Sequence, residues 1–309
     1  MTESITWVPR LSPAEIDAIN ALLNRVSETD AVSAISEHTY LHVLAGGGDG
    51  GRHALVHDGG DLVGYGFLGD GDEPLGELLV DPAARGRGVG GALLESMLAQ
   101  AGSGLRIWAH GRLPAAAALA ARRGLRPVRL LCRYTRTLAG LPDPALPPGI
   151  TVRTFSRDDA QAWLELNRVA FEDLPDQGSW TLVDLQERLR QPWFDPAGFL
   201  LAFDDRGLAG FHWTKVHGGG GHAHERTGEV YVLAVAPRAR GTGLGSALTV
   251  VGLRYLQNLG LTRVMLYVDE DNKGAVAMYT RLGFTRADCD VQFAASDAKV
   301  PHVSGTLGS

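Results

Sequence analysis

The sequence predicts an α+β (mixed α/β) chain of two tandem domains, each a central mixed, mostly antiparallel sheet flanked by helices. Three observations predict it. Val80–Leu93 is matched by Val235–Leu248, and both carry Arg-x-x-Gly-x-Gly, beginning at Arg85 and Arg240, about half the chain apart. Two further landmarks keep their order around these loops: Leu62–Phe67 matches Leu208–Trp213 upstream, and Ala121–Leu125 matches Thr280–Phe284 downstream. Between the copies, Gly140–Gly149 holds Pro142, Pro144, Pro147 and Pro148, a composition suited to a stiff extended linker. The expected domains are therefore 1–139 and 150–309, joined by a linker at 140–149, and 309 residues suffice for two cores.

Each half opens with a helix signal. Ser12-Pro13-Ala14-Glu15 supplies an N-cap, a proline at the first helical position and an acid at the third, after which Ile16, Ile19, Leu23 and Val26 recur at helical spacing. Ser156-Arg157-Asp158-Asp159, followed by Trp163 and Leu164, repeats the signal. Apolar runs broken by tight turns predict strand pairs at Ala54–His57 with Leu62–Leu68 and at Phe199–Phe203 with Leu208–Val216. A third strand follows at Gly76–Val80 and Glu229–Val235. The glycine loop then opens a helix, which in the second half places Leu244, Leu248, Val251, Tyr255 and Leu259 on one face. Buried strands are expected at Leu105–Ala109 and Arg263–Val268, and a short helix and final strands close each half.

Composition excludes several functions. A formal charge of −6 is a poor basis for holding nucleic acid or an anionic membrane by bulk charge. No apolar run approaches the roughly 18 residues that span a bilayer, and no secretory signal opens the chain, so a cytoplasmic protein is expected. Cys132 and Cys289 lie too far apart for a zinc spacing or a disulfide framework and read as two buried or idle thiols in a reducing compartment. His217, His222 and His224 invite a metal check, but no carboxylate or cysteine completes a zinc spacing, and a solvated loop is expected there.

The 40 glycines need an explanation, and the loops supply part of it. Arg-x-x-Gly-x-Gly between a strand and a helix sets several unpartnered backbone N–H groups at a helix N-terminus, where the dipole favours negative charge and side chains would obstruct a phosphate. The pattern is neither Gly-x-Gly-x-x-Gly with a ribose-binding acid nor a Gly-Lys-Ser/Thr loop. The order of helix, hairpin, strand, glycine loop with its helix and strand, completed by Asn272-x-x-Ala275-x-x-x-Tyr279-x-x-x-Gly283-Phe284, resembles the GNAT acetyltransferase superfamily, whose loop of this form grips the pyrophosphate of acetyl-CoA. Gly210–His217, Gly228–Val232 and Leu266–Asn272, with Phe194-Asp195-Pro196 and Pro175–Gly178, are similar to a tandem branch of that superfamily that acetylates the cysteinyl amine of a cysteine–glucosamine–inositol precursor.

The resemblance implies acetyl-CoA as co-substrate, in two sites at most, and no metal. It marks Leu233, Ala234 and Val235, the loop Arg240, Gly241, Thr242, Gly243, Leu244, Gly245 and Ser246, and Asn272, Lys273, Gly274, Ala275, Val276 and Ala277 for the second half. For the first half it marks Leu79, Val80, Asp81, Arg87, Gly88, Val89, Gly90, Gly91 and Ala92. It implies substrate contacts at Glu37, Asp176, Lys215, Glu229 and Tyr267, with the thiol–sugar lying between the domains. Aligning the end motifs sets Tyr279 opposite Ala120, and aligning the loops sets Glu229 opposite Pro74, so the first half is expected to lack both carboxylate and phenol and not to catalyse. Glu229 is the expected general base and Tyr279 the general acid, since a neutral amine attacking a thioester needs only a modest base and a proton for the departing thiolate. Backbone N–H near Leu233 is expected to polarise the carbonyl. Two other readings stay open: a GNAT enzyme for another amine, such as an aminoglycoside or a protein N-terminus, and a CoA sensor without turnover. A monomer is expected, because the duplication supplies an internal pair.

Overall fold

The computed structural model describes residues 4–71, 73–218 and 226–295, without the side chains of Ser103, Pro175 and Asp176. The first half forms β1 (Ile5–Val8), α1 (Pro13–Asp30), α2 (Glu37–Leu44), β2 (Gly51–Asp58), β3 (Asp61–Gly69), β4 (Leu75–Val80), α3 (Val89–Ala101), β5 (Arg106–Ala109), α4 (Pro114–Arg122) and β6 (Leu125–Thr137). The second forms β7 (Thr151–Thr154), α5 (Ala160–Ala170), α6 (Pro175–Gly178), α7 (Leu182–Leu189), β8 (Phe199–Asp204), β9 (Gly207–His217), β10 (Thr227–Val235), α8 (Leu244–Asn258), β11 (Arg263–Asp269), α9 (Lys273–Arg281) and β12 (Thr285–Ala295). The capping box expected at α1 is formed: Ser12 Oγ accepts the Glu15 N–H, and the Glu15 carboxylate accepts the Ser12 N–H at 2.7 Å. Ser156 and Asp159 cap the start of the second half in the same way.

The chain divides into two compact units, one running to Leu130 and taking in the stretch from Cys289, the other running from Leu131 to Asp288. In the first the strand order is β1-β2-β3-β4-β5-β12, and in the second β6-β11-β10-β9-β8-β7. Within these two runs β4 with β5 and β10 with β11 are parallel and the other pairings antiparallel. The expectation that each half is closed by its own final strand is corrected. β5 pairs with β12, from Arg106 opposite Ala294 to Ala109 opposite Val291, and β11 pairs with β6, from Arg263 opposite Thr137 to Asp269 opposite Leu131. Periodicity identifies a strand but not its partner, and adjacency along the chain is only the commoner outcome.

In the second unit one face of the sheet packs on α5 through an aromatic core. Phe199 stacks between Phe155 and Trp213 at centroid distances of 4.4 and 4.2 Å, with the fully buried Trp163 edge-on to both Phe199 and Trp213. α8 covers the other face, and one glycine permits its close approach: a Cβ on Gly252 would run into the ring of His212, which is hydrogen-bonded to Leu248 O. In the first unit Ile19, Leu22, Leu23 and Val26 of α1 lie in a core with Tyr65 and Phe67 of β3.

Cys132 and Cys289 are both buried, and neither is a free thiol, which corrects the expectation of thiols. Among the described residues no helix is long and apolar enough to cross a membrane.

Candidate active site

The site is built where β10 leaves β11. The two strands pair only from Gly228 opposite Val264 to Val230 opposite Leu266, and β10 then runs on to Val235 alongside β9 alone. At the same point the register with β9 shifts between Val230 and Val232, so Tyr231 is the extra residue of a bulge, which adds local twist and opens the edge. Leu233, Ala234 and Val235 lie on this parted stretch, where alternate backbone groups of an antiparallel strand face away from its partner and into the gap.

Below the gap lies the glycine loop. Gly241 and Gly243 hold φ of +75° and +87°, the left-handed region that an L side chain resists, and Gly243 caps α8 without a side-chain hydrogen bond. The first N–H groups of this 15-residue helix are thus left for an external acceptor. The loop borders a cavity of about 150 Å³ lined by Val235, Arg240, Gly241, Gly243, Gly245 and Ser246, with Met278 and Arg281 arriving from α9. Arg240 Nε is buried there without a hydrogen-bond partner. A cation, an unsatisfied donor and a helix N-terminus in one concavity fit a diphosphate. Thr242 turns instead to Ala239 O, and Asn272 caps α9 by accepting the Ala275 N–H at 3.1 Å. Lys273 is bonded to Glu270 O. Met278 and Arg281 were not anticipated; their spacing of one helical turn on α9 is the signal that could have found them.

Cross-strand register places the acid–base candidates. Lys215 on β9 is directly opposite Glu229 on β10, and Glu229 is opposite Met265 on β11, two residues before Tyr267. Residues paired across strands, or two apart along one, share a face, so Lys215, Glu229 and Tyr267 lie on the same side of the sheet. Glu229 is 7% exposed, Lys215 9% and Tyr267 40%. The Lys215 ammonium sits 4.5 Å from the Trp193 ring centroid and 5.0 Å from that of Tyr231, whose hydroxyl accepts from Arg188 Nε at 2.9 Å. Glu229 Oε2 is 2.5 Å from His217 Nε2, a contact that the sequence did not suggest. Tyr279 is buried in α9 with its ring edge-on to Phe284, and burial pushes its phenol well above the usual tyrosine range, so it stays protonated. Asp176 falls in the short α6, its side chain outside the described residues, as are His222 and His224. Glu37 belongs to the first unit, where it opens α2 and suits the helix dipole.

Two models of this architecture match the sequence: residues 160–284 match the acetyltransferase (GNAT) family and residues 49–124 an acetyltransferase (GNAT) domain. The mycothiol acetyltransferase of Thermobispora bispora is 51% identical over 286 residues, which cover 92% of this chain and 97% of that protein. That of Streptomyces coelicolor is 49% identical over 298 residues, 94% of each chain. The chain belongs to the mycothiol acetyltransferases, a tandem-domain family of GNAT enzymes. Among solved structures, a tandem GNAT protein from the clavulanic acid biosynthesis pathway superposes with a TM-score of 0.71 at 22% identity, covering 94% of this chain and 98% of that one. A GCN5-related N-acetyltransferase from Sphaerobacter thermophilus gives 0.64 at 25%, covering 94% of each.

With two GNAT domains in one family chain, the first unit can be compared with the second. Its loop repeats the geometry, with Gly86 at φ +76° and Gly88 at +97° capping α3. Its charges differ. Arg85 is clamped by both oxygens of Asp30 at 2.8 Å and donates to Val80 O, whereas its counterpart Arg240 keeps a buried Nε unpartnered. Arg87 pairs with Asp58 at 2.7 Å, and Asp81, where the second half has Ala236, accepts from Arg25 and from the Ala83 N–H.

The first half carries a different carboxylate where its strands part. β4 and β5 pair from Leu75 to Glu77, so Glu77 stands at the parting. It is not the counterpart of Glu229: Glu77 is opposite Phe67, which matches Trp213, and Trp213 is opposite Val232 on β10. Glu77 is sealed: Ser36 N–H and Oγ donate to it, His110 Nε2 lies 2.9 Å away, and Thr39 adds a further bond. His110 Nδ1 in turn lies 3.0 Å from Asp290. Burial alone would depress His110, but hydrogen bonds and charge from Asp290 and Glu77 outweigh it and raise its pKa to about 10. The stability that this buried cation gives is fully present below about pH 6.5, the unfolded value, and is lost as pH rises through about 10. Thermal midpoints measured from pH 6 to 10 are expected to fall more steeply in the wild type than in His110→Gln; parallel curves would count against the charged network.

Proposed function

We propose that the chain transfers the acetyl group of acetyl-CoA to the cysteinyl amine of the cysteine–glucosamine–inositol thiol, the last step of mycothiol synthesis, and that the second unit carries out the chemistry. The observation that carries this reading is the parting of β10 from β11 next to Glu229, over a glycine loop with an unpartnered arginine nitrogen. The loop Arg240–Ser246 would hold the diphosphate, and the parted stretch Leu233–Val235 would receive the thioester arm, with a backbone N–H polarising the carbonyl. Glu229 takes a proton from the amine, directly or through water, as its nitrogen attacks the carbonyl carbon. Tyr279, kept protonated by burial, gives a proton to the departing thiolate. Lys215, held between two aromatic rings, donates to hydroxyls of the sugar or inositol, and Tyr267 on the same face offers a second polar contact. Asp176 belongs to the proposed substrate set by its place in the sequence. The first unit holds CoA more weakly, because Asp30 and Asp58 already engage its loop arginines, and it does not turn it over, because the acceptor positions of Glu77 are taken.

Thiol release from acetyl-CoA, measured with the cysteinyl pseudo-disaccharide beside an aminoglycoside and a peptide N-terminus, tests the reading. Turnover with the pseudo-disaccharide at least about 100-fold above the others is expected, since unmet polar groups of a site built for hydroxyls reject analogues strongly. Faster turnover of a peptide or aminoglycoside would favour the other amine, and CoA binding without transfer to any amine would favour a sensor.

A further inference from the structure

His217 is the last residue of β9 and stands opposite Thr227 in the register that sets Lys215 opposite Glu229. It therefore reaches diagonally across the strand pair, on the face of the proposed base, to place Nε2 at 2.5 Å from Glu229 Oε2. The two side chains differ in exposure: that of Glu229 is 10% accessible and that of His217 37%. The imidazole thus stands between a buried carboxylate and water. Other ionisable groups on this face include Lys215 on β9, Tyr231 on β10, Arg263, Tyr267 and Asp269 on β11 and Arg133 on β6 opposite Tyr267, with Arg188 reaching Tyr231 from α7; Lys215 lies against the Trp193 and Tyr231 rings.

We infer that His217 is a positioning residue that acts through Glu229, fixing its carboxylate and carrying the collected proton to water. The inference rests on the reading of Glu229 as base. An α-amino group, with an ordinary pKa of about 7.7–8.0, reaches the site near pH 7 mainly as ammonium, with one proton more than the attack can use. The ammonium N–H bond breaks and the proton joins Glu229 Oε2. It passes to Nε2 of an imidazole that carries its own proton on Nδ1, and the imidazolium so formed releases the Nδ1 proton to water. Glu229 is again a carboxylate, the amine is neutral, and one proton has left. In the other tautomer, with the ring proton on Nε2, the imidazole donates to Oε2 and aims the carboxylate, and exchange of the ring protons with water links the two forms.

The test compares His217→Ala, His217→Gln and Glu229→Gln with the wild type, measuring kcat and KM for both substrates from pH 6 to 9, with and without added imidazole. A glutamine can keep a hydrogen bond to Glu229 but cannot pass a proton. The expected result is a kcat lower by about 10-fold or more near pH 7 in both His217 variants, shrinking as pH rises and the amine arrives neutral. The KM for acetyl-CoA stays unchanged, and imidazole restores part of the rate of His217→Ala. Full rate in His217→Gln at every pH, or a loss independent of pH and not recovered by imidazole, would overturn the inference. With Glu229→Gln slow and His217→Gln at full rate, only the relay fails; with Glu229→Gln at full rate, the base reading fails and the relay with it.

Discussion

Glu229→Gln is expected to lower kcat for acetyl transfer by about 100- to 10,000-fold, the usual contribution of a positioned acid or base, while leaving the affinity for acetyl-CoA nearly intact. The amide is isosteric and Glu229 lies on a strand paired on both sides, so the fold has little reason to change. It can still bond to His217 but can no longer accept the ammonium proton. The loss should ease at high pH, where the amine is neutral before it binds. Stopped-flow thiol release together with a thermal midpoint separates the chemical effect from misfolding. An unchanged kcat would remove Glu229 from the chemistry and leave direct attack by neutral amine.

Gly243→Val is expected to weaken acetyl-CoA binding by about 100-fold, in line with the roughly 1.5–3 kcal/mol that hydrogen bonds to charged groups contribute. Two costs act together. At φ +87° a β-branched residue is strained, and its Cβ, with no protein atom within 4 Å, would project into the open space at the head of α8. Strain lowers stability, whereas occupation of the cradle lowers affinity, so the thermal midpoint is measured beside the titration. Gly243→Ala, with less bulk at the same φ, should lose a similar amount of stability and less affinity. Equal affinities in all three proteins would mean that the diphosphate lies elsewhere.

Much of this fold was legible because its signals are local. The capping box at Ser12, the alternating strands and the two glycine loops are each written in a few adjacent residues, and the structure contains all of them. Pairing between distant segments was not legible. The exchange of β6 and β12 leaves no local trace, because both strands satisfy the same alternation whichever sheet they join. β1 and β7 are four-residue edge strands, too short for a periodic signal. The site divides in the same way. Arg240–Ser246 and the face shared by Lys215, Glu229 and Tyr267 follow from motif and register, whereas His217 and Glu77 owe their roles to contacts across strands. His217 was expected in a solvated loop because its neighbours in sequence are glycines and histidines, whereas it ends β9 and meets Glu229; Glu77 takes its partners from α2 and from His110, far from it along the chain.

On the proposed reading, the glycine loop opening α8 holds the CoA diphosphate beside a catalytic Glu229. A crystal structure of the chain with CoA would decide this. Diphosphate oxygens are expected within hydrogen-bonding distance of the backbone N–H groups at Gly243–Gly245, with Arg240 turned to them and the pantetheine arm entering between β10 and β11. Diphosphate held only by the loop opening α3, with the second loop facing bare solvent, would contradict it.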